Sequence, residues 1–288
     1  MCSIKPFIKW VGGKQKIVNN LVEKFPENID TYYEPFLGGG SVLLYLLILK
    51  QRGLINIREF KVNDINPILI NCYILIKDKC DWLISQINIL KKEYIEAKKE
   101  EQSVLYYKYR EEFNYLKSSG KQLDRQSILF IYLNKTGFRG LYRLSKKGVY
   151  NVPFGNYKSP SIIDSENIQK ISKLLHKYKV SFSSQDYKSF LETVSTNDFV
   201  YLDPPYYPLN LNSFTSYDNT NIDYKKFMKT IYKLKGLYMI SNHDIKYLKE
   251  KFSENIISYI QVRRAIHSKN PGNSVKEILI RNFLNLNI

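Results

Sequence analysis

The stretch Thr31-Tyr32-Tyr33-Glu34-Pro35-Phe36-Leu37-Gly38-Gly39-Gly40-Ser41, followed by the apolar run Val42-Leu43-Leu44-Tyr45-Leu46-Leu47-Ile48-Leu49, decides the fold. Its first six residues favour a strand, its glycines punctuate, and the apolar run is long enough for a helix. A second short strand over 59–63 ends in Asp64. Together they predict the opening βαβ unit of an α/β protein with a doubly wound sheet. Upstream, Ile17, Val18, Leu21, Val22 and Phe25 recur at spacings of three and four, which predicts an amphipathic helix from about Lys14 until Pro26 ends it.

Downstream, the periodicity from 78 to 119 is helical, with Trp82, Leu83, Ile87, Leu90, Leu105, Tyr109, Phe113 and Leu116 on the inward face. A further helix is predicted over 125–133. Residues 134–155 are glycine-punctuated, aromatic and basic, and read as a β-hairpin turning at 145–148. After Pro160 helix and strand alternate again, with buried strands at 199–202, 238–240 and 277–280. The sheet is therefore expected to draw on both ends of the chain. One discontinuous domain spans 1–67 and 159–288, and 68–158 is an inserted, mainly helical domain that carries the hairpin.

Composition narrows the function. Of 288 residues 44% are hydrophobic and 25% charged, which suits a globular chain, and the apolar run at 41–49 is far short of the roughly 20 residues that span a bilayer. The start, Met1-Cys2-Ser3-Ile4-Lys5-Pro6-Phe7, lacks the features of a signal peptide, and an intracellular location is expected. Three cysteines (Cys2, Cys72, Cys80) and three histidines (His176, His243, His267) are scattered, so no metal centre is expected. A formal charge of +17 recruits polyanions, with nucleic acid first among them. An A+T-rich coding sequence, rich in Lys, Ile, Asn and Tyr codons, would give the same sign without selection for binding, so motifs must decide.

Glycines 38 to 40 remove side chains where a ligand must approach backbone N–H groups, although they also suit a plain tight turn. Asp64, at the end of the next strand, can accept hydrogen bonds from ribose hydroxyls, or cap the helix that begins near Pro67. Lys9-Trp10-Val11-Gly12-Gly13-Lys14 is not a phosphate-binding P-loop, because Ile8 and Gln15 stand where that motif needs Gly and Ser or Thr. Trp10 can instead wall an adenosyl pocket with Lys14 near an anionic group; the plainer assignment is a core aromatic and a solvated lysine.

Asp203-Pro204-Pro205-Tyr206 is the most specific signal. Two prolines fix φ near about −65° and lack N–H donors, so the segment leaves the sheet as a rigid turn at the carboxyl end of a buried strand. A carboxylate and a backbone carbonyl that accept both protons of an exocyclic amine pull its nitrogen toward tetrahedral geometry and localise its lone pair. Tyr206 offers a face on which a base can stack.

These segments, in this order, resemble the Dam-type DNA adenine-N6 methyltransferases, the D12 class. The likeness covers Phe7-Ile8-Lys9-Trp10-Val11-Gly12-Gly13-Lys14, Glu34-Pro35-Phe36-Leu37-Gly38-Gly39-Gly40-Ser41 and Asp203-Pro204-Pro205-Tyr206. It continues through Leu133-Asn134-Lys135, Gly140-Leu141-Tyr142-Arg143, Asn151-Val152-Pro153-Phe154-Gly155, Ser241-Asn242-His243-Asp244 and Val262-Arg263-Arg264. The resemblance implies a methyltransferase-type mixed sheet with 68–158 as target-recognition domain. It implies S-adenosylmethionine as cofactor, held by Trp10, Lys14, Phe36, Gly38, Gly40, Asp64 and Asp203. It implies Asp203, Pro204 and Tyr206 as the residues that hold a flipped adenine for in-line attack.

The implied partner is double-stranded DNA, contacted by Lys9, Arg139, Leu141, Arg143, Pro153 and Tyr157, with no obligate protein partner and with a cognate restriction endonuclease as a candidate. A two-stranded ribbon fits the major groove, where Arg143 could bond guanine O6 and N7, with Lys9 as a second base contact. GATC is the first target to consider; Arg139 stands where Dam-type enzymes often carry Asn, which leaves other short adenine-containing palindromes open. A nicotinamide oxidoreductase would need glycine where Leu43 stands. A structured-RNA methyltransferase fits the hairpin less well, since side chains cannot read the A-form major groove. A DNA-binding regulator with a dead catalytic fold would not need the intact 203–206 turn.

Overall fold

The computed structural model describes residues 4–207, 222–263 and 274–284; Cys2, Arg264 and His267 lie outside the described residues. Seven strands, β1 (Asn28–Glu34), β2 (Asn56–Asn63), β3 (Val180–Ser183), β4 (Phe199–Leu202), β5 (Leu237–His243), β6 (Ile256–Arg263) and β7 (Ser274–Arg281), form one sheet. Their order is β3-β2-β1-β4-β5-β7-β6, with β7 antiparallel to both its neighbours and β3 to β5 parallel. The predicted doubly wound α/β sheet is present, and β3 and β6 add two strands that the sequence left unassigned. β3 is only Val-Ser-Phe-Ser, too short to show a period.

Between β1 and β4 the strand order reverses direction: β1 feeds β2 on one side and meets β4 on the other. In sheets of this kind the loops at the carboxyl ends splay apart there and leave a crevice. The glycine turn leaves β1 and the 203–206 turn leaves β4, so the topology sets them side by side, roughly one strand spacing (about 5 Å) apart at their roots.

Successive strand residues face opposite sides. Tyr32, Phe60, Phe199, Tyr201 and Met239 pack beneath α2 (Ser41–Gln51), α3 (Pro67–Asp78) and α7 (Ser165–Lys177), whereas Tyr33, Val200, Leu202 and Ile240 join the core under α8 (Tyr187–Leu191), α9 (Tyr224–Ile231) and α10 (Lys246–Lys251). The insert, with α4 (Cys80–Glu96), α5 (Lys99–Ser119) and α6 (Leu123–Thr136), extends the first of these cores without a break. Among the described residues no helix is long and apolar enough to cross a membrane.

Several local expectations are corrected. Helix α1 spans only Val18–Val22, because residues 14–17 form a turn that carries Lys14 inward. The cap of α3 is Asn66, whose Oδ1 accepts from the N–H groups of Ile68 (3.1 Å) and Leu69 (3.3 Å). With Pro67 as first helical residue, the cap position falls on 66, and Asp64 is released for other bonds. Trp82 is 41% exposed, under the Lys79 ammonium, and Leu83 takes the inner place; likewise Tyr106 is buried and Leu105 only half so.

The hairpin turns at 145–148 as predicted, closed by Ser145 N–H to Val149 O (2.8 Å) and Gly148 N–H to Ser145 O (2.9 Å), but its ladder is two isolated bridges, Leu144 to Tyr150 and Gly137 to Phe154. Helix α5 replaces the missing rungs. The Asn114 carboxamide pairs with both Tyr150 N–H and C=O (2.8 and 3.0 Å), Lys117 reaches Gly148 O and the Tyr106 hydroxyl reaches Val152 O.

Candidate active site

The loop after β1 is tight. Leu37 N–H bonds Asn63 O, Gly40 N–H bonds Leu37 O, and Gly38 and Gly40 have φ of +50° and +67°, a conformation that favours glycine. The space their missing side chains leave is taken by protein: a Cβ on Gly38 would lie 2.6 Å from Trp10 Nε1, one on Gly39 would touch Trp10 Cβ, and one on Gly40 would strike the Tyr73 hydroxyl. The turn's glycines therefore seat Trp10 and Tyr73, which differs from the open ligand approach expected of them. Phe36 points the other way, into the aromatic contacts of Tyr187 and Phe227.

At the end of β2, Asp64 ties the turn down. Its Oδ2 accepts from Gly38 N–H (3.0 Å) and its Oδ1 from Asn66 N–H (2.9 Å). Burial pushes its carboxyl pKa up while those two donors pull it down. The Asn66 side-chain nitrogen next to it is buried and has no hydrogen-bond partner among the described residues.

At the end of β4, Asp203 meets Lys14. The ammonium lies 2.7 and 2.6 Å from the two carboxylate oxygens and also donates to Gly12 O; Lys14 is 5% exposed and Asp203 19%. The anionic group expected near Lys14 is thus Asp203. Ser241, next to Asp203 by the register of β4 with β5, donates to Oδ1 at 2.9 Å and hydrogen-bonds the Tyr201 hydroxyl behind it. Below, buried Glu34 accepts from the Tyr32 hydroxyl, and burial, aided by Asp203, pushes its carboxyl well above the ordinary carboxylate range.

The rest of the turn is fixed from β5, α9 and β7. The Tyr224 hydroxyl donates to Pro205 O (2.6 Å) and accepts from Asn242 Nδ2, whose Oδ1 holds Tyr207 N–H. The Pro204 carbonyl accepts no hydrogen bond among the described residues. Tyr206 is clamped on three sides: its hydroxyl donates to Glu277 Oε2 (2.7 Å), its edge meets His243 at 4.8 Å, and the Lys14 ammonium stands 5.1 Å from its ring. Glu277 is 5% exposed and sits opposite His243 in the register of β5 with β7.

A family model described as D12 class N6 adenine-specific DNA methyltransferase matches residues 10–266, a span that contains both turns. The chain belongs to that family. Its substrate is DNA and its cofactor S-adenosylmethionine. The methyltransferase is 38% identical to the type II methyltransferase M.MjaIII of Methanocaldococcus jannaschii, over 97% of this chain and 99% of that one. It is 32% identical to the DNA adenine methylase of Haemophilus influenzae (94% and 91% covered) and 30% identical to that of Escherichia coli (92% and 90%).

The residues of the crevice fit the methyltransferase's cofactor on their own chemistry. Asp64 offers an acceptor, and the Asn66 amide a buried donor without a close hydrogen bond among the described residues, to a nucleoside. Sequence reasoning missed Ser241, Asn242, Tyr224, Glu277 and Asn66. Only Ser241 and Asn242 carried a signal: they follow the apolar residues 238–240 as Asp203 follows 199–202.

The residues expected to contact DNA gather on one loop and its support. Lys9 is pinned by reciprocal bonds between its backbone and the Asn134 carboxamide (both 2.9 Å), and its ammonium lies 4.9 Å from the Tyr157 ring. Lys135 lies near Lys9, and burial together with that charge lowers it to about 8. Arg139 is exposed at φ +55° beside Phe138; Leu141 is half-buried, and Pro153 is exposed with its carbonyl bonded by Phe138 N–H. The Arg143 guanidinium is held across the hairpin by Asn151, Nε to Oδ1 at 2.7 Å and Nη2 to O at 3.0 Å.

Proposed function

We propose that this methyltransferase modifies N6 of an adenine within a short specific duplex sequence, GATC first among the candidates, by turning the base out of the helix into the 203–206 pocket. Residues 68–158 act as the target-recognition domain, joined to the catalytic domain of 1–67 and 159–288. The observation that carries this reading is a count of acceptors. A carboxylate offers about four lone-pair sites; Lys14 and Ser241 use both on Asp203 Oδ1, and Lys14 uses one on Oδ2. One site on Asp203 Oδ2 and the adjacent Pro204 carbonyl are left, two acceptors for the two N–H bonds of one exocyclic amine.

Bound S-adenosylmethionine supplies a methyl group already activated on a sulfonium. The protein's part is placement. Asp203 and Pro204 hold the amine protons so that the nitrogen lone pair points one way, Tyr206 stacks on the base, and the crevice excludes water. Extrusion of the base costs a few kcal/mol, which stacking and the amine bonds offset. A restriction endonuclease of the same site is the partner from which a modifying enzyme of this kind would shield DNA. Plasmid DNA treated with the protein and the cofactor should acquire N6-methyladenine at one recurring sequence, read by strand mapping. Transfer to structured RNA with none to duplex DNA would overturn the proposal.

For the bases flanking the target, Asn151 holds the Arg143 guanidinium in place against the hairpin, as a base-reading side chain requires. Arg143→Ala should therefore cut discrimination at one base position by about 5- to 100-fold, the worth of a bidentate guanine contact, with a smaller loss on random DNA. Competition binding with single-base variants of the mapped site measures it. An equal loss on every sequence would assign Arg143 to phosphate instead.

A further inference from the structure

We infer that Tyr142, on the recognition hairpin, is a wall of the cofactor site, and that through it the reading of DNA by the hairpin is coupled to cofactor binding. The inference rests on the crevice between the two turns being that site. Tyr142 stacks on Trp10 with ring centroids 6.1 Å apart and planes within 17°. Trp10 in turn presses its pyrrole edge on Gly38 and its Cβ on Gly39, so the hairpin reaches the glycine turn through one aromatic pair. Behind it, Phe130 (5.2 Å, 68°) and Tyr150 (5.8 Å, 29°) fix the Tyr142 ring from α6 and from the far arm of the hairpin.

The Tyr142 hydroxyl also feels the charge of the other half of the same site. Burial pushes its pKa up to about 12, the Asn66 carboxamide opposes that, and Asp64 adds to it, so both residues lie within its electrostatic reach. The influence of Asn66 comes from the amide whose nitrogen makes no close hydrogen bond among the described residues, beside the carboxylate that ties down the turn. The next residue along the chain, Arg143, is tied to Asn151 and carries the base contact proposed above. In an extended segment neighbours face opposite sides, so residue 142 turns inward to the cofactor corner when 143 turns outward to the groove. A shift of the hairpin on DNA would move both.

A merely structural Tyr142 would hold the hairpin and leave cofactor affinity alone. The test uses the full chain with Trp82→Phe, so that Trp10 is the one remaining tryptophan. S-adenosylhomocysteine affinity is measured by calorimetry for Tyr142, Tyr142→Phe and Tyr142→Leu, with Trp10 emission as a check on the stack. Affinity for the mapped duplex is measured with and without S-adenosylhomocysteine.

Tyr142→Leu should bind the product cofactor about five- to tenfold more weakly, the scale of one aromatic pair, and Tyr142→Phe about two- to threefold more weakly with emission unchanged. The gain in DNA affinity on adding S-adenosylhomocysteine should shrink in Tyr142→Leu, because coupling between two ligands is reciprocal. Wild-type cofactor affinity in both variants overturns the inference, as does weakened cofactor binding with the gain in DNA affinity intact. If Tyr142→Leu does not fold, Tyr142→Phe alone decides. Failure of the unsubstituted protein to bind S-adenosylhomocysteine would instead remove the underlying assignment of the crevice.

Discussion

Asp203→Asn is expected to lower the single-turnover rate of methyl transfer by about a thousandfold, at a smaller cost in stability than Asp203→Ala. The substitution keeps the size of the side chain and one oxygen, so Ser241 keeps its acceptor and Lys14 keeps one of its two, although the ammonium loses its counter-charge. What changes is the atom that faces the amine: an NH2 group replaces Oδ2, and a donor then confronts the N–H bonds of the substrate. Removing one preorganised polar contact that matters most in the transition state typically costs 10²- to 10³-fold, and opposing it with a like donor puts the loss at the upper end. A duplex with 2-aminopurine at the target position reports extrusion alone, since that base has no 6-amino group to methylate; its fluorescence should still rise with the variant, while methyl transfer measured on the adenine duplex fails. A variant that transfers methyl within tenfold of the wild-type rate would remove Asp203 from the chemistry. The choice of Asn rather than Ala matters because Asp203 has a second occupation, the pairing with Lys14.

Much of the fold was legible because its signals are local. The glycine turn at 38–40 and the prolines at 204 and 205 interrupt apolar strands, and interruption of that kind is written in a few adjacent residues. The sheet's two closing strands were harder. Among the described residues β6 lies at the edge and pairs only with antiparallel β7, whose first residue comes eleven positions after the last of β6. The site shows the same division. Trp10, Lys14, Asp64, Asp203 and Tyr206 stand inside recognisable motifs, and contacts join them in two sets: Trp10 and Asp64 both meet Gly38, and Lys14 meets both Asp203 and Tyr206. Ser241 and Glu277 became part of it only through register, since the pairing of Leu202 with Ile240 and of His243 with Glu277 is a tertiary fact. The glycines left two readings open for a related reason: a missing side chain signals close approach, but whether a ligand or Trp10 approaches depends on a segment 25 or more residues away.

The ion pair of Lys14 and Asp203 should dominate the stability of the crevice. An ammonium that is 5% exposed cannot recover much hydration when its partner is removed, and Gly12 O alone would be left to it. Asp203→Ala is therefore expected to destabilise the protein by about 2–4 kcal/mol, somewhat below the usual range for breaking a buried pair because Asp203 itself is partly open to solvent. Lys14→Met should cost less, about 1–2 kcal/mol, since the carboxylate it abandons keeps Ser241 and can take up water. Lys14→Met combined with Asp203→Ala should be more stable than Asp203→Ala alone, because the uncompensated charge is gone and an apolar stem fills the place. Chemical denaturation of the four proteins closes the cycle, and a coupling of about 1–3 kcal/mol is the expected result. Strict additivity would mean that the two charges do not depend on each other in the folded protein. Because buried pairs can often be replaced by apolar residues at no loss of stability, a double variant as stable as the wild type but unable to transfer methyl would show what the pair is retained for: it holds the Asp203 side chain aimed, with one oxygen still open to the amine.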